Sequence, residues 1–192
     1  MATTKKAYMT VTLTEDQEWL QDVRQVPSPN RDARSVATTI DTIVIHGISL
    51  PPRVYGGPYI EQLFTNTLDG DAHPYFSTIV NLRVSAHLLI DRTGQITQFV
   101  PFSARARHAG ISVFQDRPDC NEYSIGIELE GFDDEAYTQH QYAVLAAIVR
   151  SLRLRWPAIT RDRIVGHSDI APDRKTDPGP VFDWDCFLGL ID

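Results

Sequence analysis

Between Ser124 and Glu130 the residues alternate strictly, with Ile125, Ile127 and Leu129 on one side and Gly126, Glu128 and Glu130 on the other. A period of two is that of a strand, here with one face turned to a core and two carboxylates sharing the opposite face. The run Thr-Ile-Val-Ile-His at 42–46 is β-branched and apolar until its last residue. It suits a buried central strand that ends at a site, with Gly47 breaking it. Residues 86–90 and 95–100 flank the turn cluster Asp91-Arg92-Thr93-Gly94 and read as a β-hairpin. From Tyr137 to Trp156 the period lengthens: Tyr142, Leu145, Ile148, Val149 and Leu152 recur at helical spacing, and Pro157 forbids easy continuation. Residues 164–167 read as a last short strand, and 183–191 as a closing helix.

Strands and helices are interspersed and include a hairpin, which predicts an α/β fold with a central mixed β-sheet flanked by helices. At 192 residues the chain has room for one full core, so 1–192 is expected to be a single domain, with 1–19 a poorly ordered N-terminal extension. Residues 48–81 carry Pro51-Pro52, Gly56-Gly57-Pro58 and Asp69-Gly70 around a short helical pattern at 59–64. Long irregular segments in compact domains usually bind or cover something, so this one is either a substrate wall or a surface insertion.

Composition narrows the function classes. With 42% hydrophobic and 22% charged residues the chain is that of an ordinary globular protein. A net charge of -7 works against a phosphate-backbone partner, and no nucleic acid is expected. No stretch approaches the roughly 20 apolar residues that cross a bilayer, and no apolar run follows the first lysines, so no membrane anchor and a cytoplasmic location are expected. Two cysteines, Cys120 and Cys186, are too few for a disulfide framework and read as buried free thiols. A monomer is expected.

Histidine opens the chemistry, because neutral imidazole is the commonest protein ligand for zinc. His46 and His167 each end an apolar strand, and would meet at one edge of the sheet if those strands run side by side in the same direction. Alone, a histidine at a strand end is more often a structural residue than a ligand. The stretch from Gly166 to Pro180 is rich in proline, which can order an irregular loop, and in acids. Spacing does not choose among Asp169, Asp173 and Asp177 as a third ligand.

Several longer motifs follow one another in order: Val-Pro-Ser-Pro at 26–29, Ile-Ser-Leu-Pro-Pro at 48–52, Tyr-Gly-Gly-Pro at 55–58, Leu-Arg-Val-Ser-Ala-His at 82–87, Ile-Gly-Ile-Glu-Leu-Glu-Gly at 125–131 and Asp-Arg-Lys-Thr-Asp-Pro-Gly-Pro at 173–180. Through them the chain, from about residue 20 to its end, resembles the zinc N-acetylmuramoyl-L-alanine amidases, whose fold is shared by peptidoglycan recognition proteins. Within that family it looks most like the cytoplasmic AmpD type. The resemblance implies one zinc ion held by His46, His167 and Asp177, with a fourth position open for water, as in catalytic rather than structural sites. It implies Glu128 as general acid–base and Lys175 as the partner of the oxyanion. Ile48, Ser49, Arg83 and His108 are candidates for substrate contacts, with His87 and His108 alternatively structural or grouped around the metal.

The implied reaction is hydrolysis of the amide between the lactyl group of N-acetylmuramic acid and L-alanine in 1,6-anhydro-muropeptides during cell-wall recycling. Two alternatives within the superfamily are an amidase of intact peptidoglycan and a non-catalytic muropeptide-binding module. A glycosidase built on Glu128 and Glu130 is disfavoured, since alternate residues of one strand lie about 7 Å apart but side by side, not across a bond. The sequence departs from the AmpD pattern at Gly47, Arg107 and Asp119, where Asn, Trp and a basic residue are usual.

Overall fold

The computed structural model describes residues 10–191. In chain order the elements are β1 (Arg24–Gln25), β2 (Arg31–Ala33), β3 (Thr42–Ile48), α1 (Tyr59–Phe64), β4 (Leu88–Ile90), β5 (Ile96–Gln98), β6 (Ala104–Ala106), β7 (Val113–Phe114), β8 (Arg117–Pro118), β9 (Ser124–Glu130), α2 (Gln139–Arg155), β10 (Ile164–Gly166), α3 (His167–Ile170) and α4 (Trp184–Ile191). Six strands make one sheet in the order β1-β5-β4-β9-β3-β10. β4 and β5 are antiparallel, the hairpin read from the turn cluster, while β4, β9, β3 and β10 run parallel to one another. The sheet is therefore mixed, as expected.

The alternation in β9 gives the sheet two faces. Ile125, Ile127 and Leu129 join Ile43 and Ile45 of β3 and Leu145, Ile148 and Leu152 of α2 in the main core, closed by Phe187 and Ile191 of α4. Each such side chain contributes roughly 1.5–3 kcal/mol on full burial. α2 is started by a reciprocal cap: Thr138 Oγ1 accepts from the Gln141 N–H at 3.1 Å, and Gln141 Oε1 accepts from the Thr138 N–H at 3.0 Å. Tyr137 thus precedes the helix rather than opening it.

Two strand ends differ from the expectation. β3 does not stop at His46; it pairs with β9 residue by residue through Gly47↔Leu129 to Ile48↔Glu130. Gly47 stays in the ladder because the space for a side chain is taken: a Cβ there would fall 2.3 Å from the Tyr137 hydroxyl. β10, in contrast, ends one residue early, and His167 is the first residue of α3. The Asp169 carboxylate accepts from the Gly166 N–H at 2.7 Å and draws the chain into a helical turn at that point.

The segment after β3 is tied down as a wall. α1 forms where the spacing predicts it, and Leu50, Ile60, Leu63, Phe64 and Phe76 pack with Phe99 in a second apolar cluster. Of the extension expected at 1–19, residues 1–9 lie outside the described residues. Beyond them Val11 and Leu13 pack against the main core, and Leu13 pairs with Leu20. Cys120 is buried, whereas Cys186, in α4, is only half-buried. Among the described residues no helix is long and apolar enough to cross a membrane.

Candidate active site

His46 lies on the face of β3 opposite the main core and is the cross-strand neighbour of Glu128. Because β10 pairs with β3 in parallel, with Gly166 beside Ile45, the next residue, His167, arrives beside His46. Their Nδ1 atoms are 2.9 Å apart, and Asp177 Oδ2 lies 3.2 Å from one and 3.1 Å from the other. A tetrahedral zinc centre with bonds of about 2.0–2.1 Å holds its donors roughly 3.3 Å apart, so this triangle has the spacing and the donor types of three ligands to one small cation. These three residues can hold a metal ion. The two other aspartates that composition left open are spent elsewhere: Asp169 caps α3, and Asp173 is exposed on the loop.

The electrostatics suit that use. His46 is 1% exposed, and burial lowers its pKa to about 4, leaving it neutral at pH 7 as a metal ligand must be. Burial holds His87 and His108 well below the usual imidazole range for the same reason. Glu128 is 8% exposed, and its Oε2 has no hydrogen-bond partner. Burial, reinforced by the nearby Asp177 carboxylate and opposed by Lys175, raises the Glu128 pKa well above the ordinary carboxyl value. A carboxyl so raised is biased toward taking up a proton, and its Oε2 is free to exchange one.

Glu128, Lys175 and the His46–His167–Asp177 triangle all line one cleft of about 390 Å³. Ile48 and Ser49 lie on its rim, although the Ile48 carbonyl already accepts from the Gly131 N–H at 2.9 Å and the Ser49 hydroxyl from the Arg53 N–H at 2.9 Å. Arg83 is not among the lining residues; it is exposed and donates to the carbonyls of Val80 and Leu82 at 3.2 and 3.1 Å. His108 lines the cleft, but both ring nitrogens are engaged inward, Nδ1 with His46 Nε2 at 2.9 Å and Nε2 with Ser124 Oγ at 3.2 Å.

The sequence pattern of the N-acetylmuramoyl-L-alanine amidase family matches residues 36–180. The chain belongs to that family. It is 56% identical over 176 residues to the 1,6-anhydro-N-acetylmuramyl-L-alanine amidase AmpD of Salmonella typhimurium (strain SL1344), covering 92% of this chain and 94% of that one. The crystal structure of a selenomethionine derivative of AmpD superposes with a TM-score of 0.90 at 54% identity, over 94% of this chain and 99% of that one. The E. coli amidase AmiD, solved with the substrate anhydro-N-acetylmuramic acid-L-Ala-D-gamma-Glu-L-Lys, gives a TM-score of 0.59 at 26% identity, over 94% of this chain and 65% of that one.

Two further residues, to which the sequence pattern gave no role at the site, hydrogen-bond to the segments that carry its side chains. Asn121 is buried and its Oδ1 accepts from the N–H groups of both His108 and Ala109, at 2.9 and 2.8 Å. Tyr137 donates its hydroxyl to the Pro178 carbonyl at 2.9 Å, next to Asp177. No local pattern announces either, because the partners lie 13 and 41 residues away in the chain. Of the departures from the AmpD pattern, Arg107 lines the cleft and is paired with Asp32 at 2.8 Å, while Asp119 is paired with Arg105 at 2.7 Å.

Proposed function

We propose that this amidase hydrolyses the amide between the lactyl group of 1,6-anhydro-N-acetylmuramic acid and L-alanine, using one zinc ion held by His46 Nδ1, His167 Nδ1 and Asp177 Oδ2. The observation that carries the reading is a three-donor triangle with edges of 2.9–3.2 Å beside a buried carboxyl whose Oε2 is unpartnered. The likeness to AmpD over nine-tenths of the chain supports the anhydro-sugar substrate. When bound, zinc supplies a Lewis acid for the scissile carbonyl and lowers the pKa of a water to near neutrality.

The protein's own groups do the rest. Glu128 takes the proton from the attacking water and delivers it to the departing amine of L-alanine as the C–N bond breaks, so one group serves as base and then as acid. Its burial is what lets it keep that proton between the two steps. Lys175, on the same cleft wall, places a compact positive charge on the carbonyl oxygen as it becomes an oxyanion. Ile48 and Ser49 on the rim contact the muramyl side of the substrate. The reaction needs no second copy of the chain, and action as a monomer belongs to this reading, as does a cytoplasmic site of action, which the motifs shared with the cytoplasmic type support.

Incubating the purified chain with 1,6-anhydro-N-acetylmuramyl tripeptide, with and without a chelator, tests this by product mass. Free tripeptide is expected only when zinc is present. Cleavage that survives complete removal of metal, or an intact sugar–peptide amide beside a broken glycosidic bond, would overturn the reading.

A further inference from the structure

A zinc ligand must offer a bare nitrogen, and an imidazole has two, so something has to decide which one keeps the hydrogen. In this structure the decision can be followed atom by atom. Ser124 Oγ is 2.5 Å from the Cys120 carbonyl oxygen, which can only accept, so the serine hydrogen is committed there. Ser124 therefore faces His108 Nε2, at 3.2 Å, with a lone pair, and Nε2 must be the protonated nitrogen of the neutral ring. His108 Nδ1 is then an acceptor, and at 2.9 Å it takes the hydrogen on His46 Nε2. His46 is left with a bare Nδ1, the atom in the triangle.

The neighbouring residue does the same for the other ring by its backbone. His167 Nε2 is 3.1 Å from the Ala109 carbonyl oxygen, again a pure acceptor, so the hydrogen lies on Nε2 and Nδ1 is bare. This carbonyl is itself gripped by Arg174 Nη2 at 2.6 Å, which also donates to the Ile111 carbonyl at 2.9 Å. The two consecutive amides are fixed from behind by Asn121 Oδ1. The space for the His108 ring exists because Gly126, beneath it in β9, has no side chain: a Cβ there would fall 2.3 Å from the ring.

We infer that His108–Ala109 is a positioning clip that selects the Nδ1-ligating form of both histidines, one through an imidazole and the other through a carbonyl, with Asn121 and Arg174 holding the clip in register. His108 is thereby a positioning residue, which takes up, of the alternatives left open by the sequence, the one that groups it around the metal. The inference rests on the zinc reading above for its consequence, but the ring hydrogens themselves can be read without metal.

The test uses the full chain, metal-free and zinc-loaded, with three readouts: long-range ¹H–¹⁵N spectra of the histidine rings, zinc affinity by competition with a chromophoric chelator, and the unfolding midpoint. In the metal-free wild type both His46 and His167 are expected to carry hydrogen on Nε2. H108F, which removes the acceptor, is expected to give mixed forms of His46 and about 10- to 100-fold weaker zinc binding. H108Q restores an acceptor and a donor and should recover most of that loss. R174Q, at an exposed position, should weaken zinc by a few-fold and disturb the His167 signals alone. Should H108F not fold, S124A interrupts the same relay by one hydroxyl and is read in its place. Hydrogen on His46 Nδ1 in the wild type overturns the clip, as does unchanged zinc affinity in H108F or S124A. A wild type that does not bind zinc would sink the zinc reading instead, while the ring spectra still decide whether the clip sets the two rings.

Discussion

On one side of β9, Ile125, Ile127 and Leu129 press against α2; on the other, Ser124, Glu128 and Glu130 are also buried, among imidazoles and loop backbone. The strand is the same and both sides are buried, yet the apolar side gains by leaving water and the polar side loses unless every group finds a partner. Nearly every group on the polar side has one. Glu130 accepts from the N–H groups of Gly56 and Arg92, Ser124 lies between Cys120 and His108, and His46 is held by His108. The exception is Glu128 Oε2, and it is the atom assigned to proton transfer. One face holds the fold together, and the other holds chemistry in place at some expense of stability.

The largest effect that would break this division comes from the unpartnered oxygen. Glu128→Gln keeps the shape and removes the proton exchange, so turnover should fall by about 10²- to 10⁴-fold. Zinc content should not change, and the unfolding midpoint should hold or rise, because a buried carboxyl has been replaced by a neutral amide. Turnover within a few-fold of wild type would remove Glu128 from the mechanism. The opposite face should answer in the opposite way. Ile127→Ala opens a cavity in the main core and is expected to cost about 2–5 kcal/mol in urea unfolding, with turnover per folded molecule retained. A large loss of turnover in the still-folded population would show that the two faces are not separable.

The contrast also explains what could be read in advance. The apolar face is local: period two in β9, the helical recurrence from Tyr142 to Leu152 and the hairpin cluster at 91–94 each carry their own signal, and all three elements stand where that signal puts them. The polar face is assembled from afar. His46 and His167 were legible as histidines closing apolar runs, but the clip that orients them comes from a loop 62 residues from one and 58 from the other. Asp177 could not be told from Asp169 by composition, since the difference is which of them turns to the cap of α3. Gly47 looked like a strand breaker because what it makes room for, Tyr137, lies on a different element.

Acid should weaken the polar face first. In the metal-free chain His46, His87 and His108 are buried with pKa values lowered by that burial, His46 to about 4. Unfolded, each takes up a proton as pH falls through about 6.5, whereas folded it does not, so the stability they contribute is present above that value and is lost on acidification. Glu128 has the opposite sign: its raised pKa lets the folded state keep a proton that the unfolded chain has released above about 4.5. The three imidazoles outweigh the one carboxyl, so a net loss of stability is expected between pH 6 and 5, read from urea midpoints at a series of pH values. A flat profile across that window would mean that these imidazoles are not buried in the neutral form.

The smallest effect is expected where the two faces meet. Tyr137 packs its ring in the main core, against Tyr142 and Phe182, and passes its hydroxyl beside Gly47 to the Pro178 carbonyl, adjacent to Asp177. It is a direct link from the apolar side to the loop that carries the third donor. Tyr137→Phe leaves the ring and removes that link, so the cost in urea should be about 1–3 kcal/mol, the penalty for an unpaired buried carbonyl. If the loop is held mainly by its own contacts, such as the Ser168 N–H donating to the Asp177 carbonyl at 3.0 Å, zinc affinity should change by no more than a few-fold. That is the outcome expected, because the triangle has its own supports in the clip and the loop backbone. A tenfold or greater loss of zinc affinity in a variant still fully folded would instead make the apolar core a direct determinant of the metal geometry, with Tyr137 as the transmitting residue.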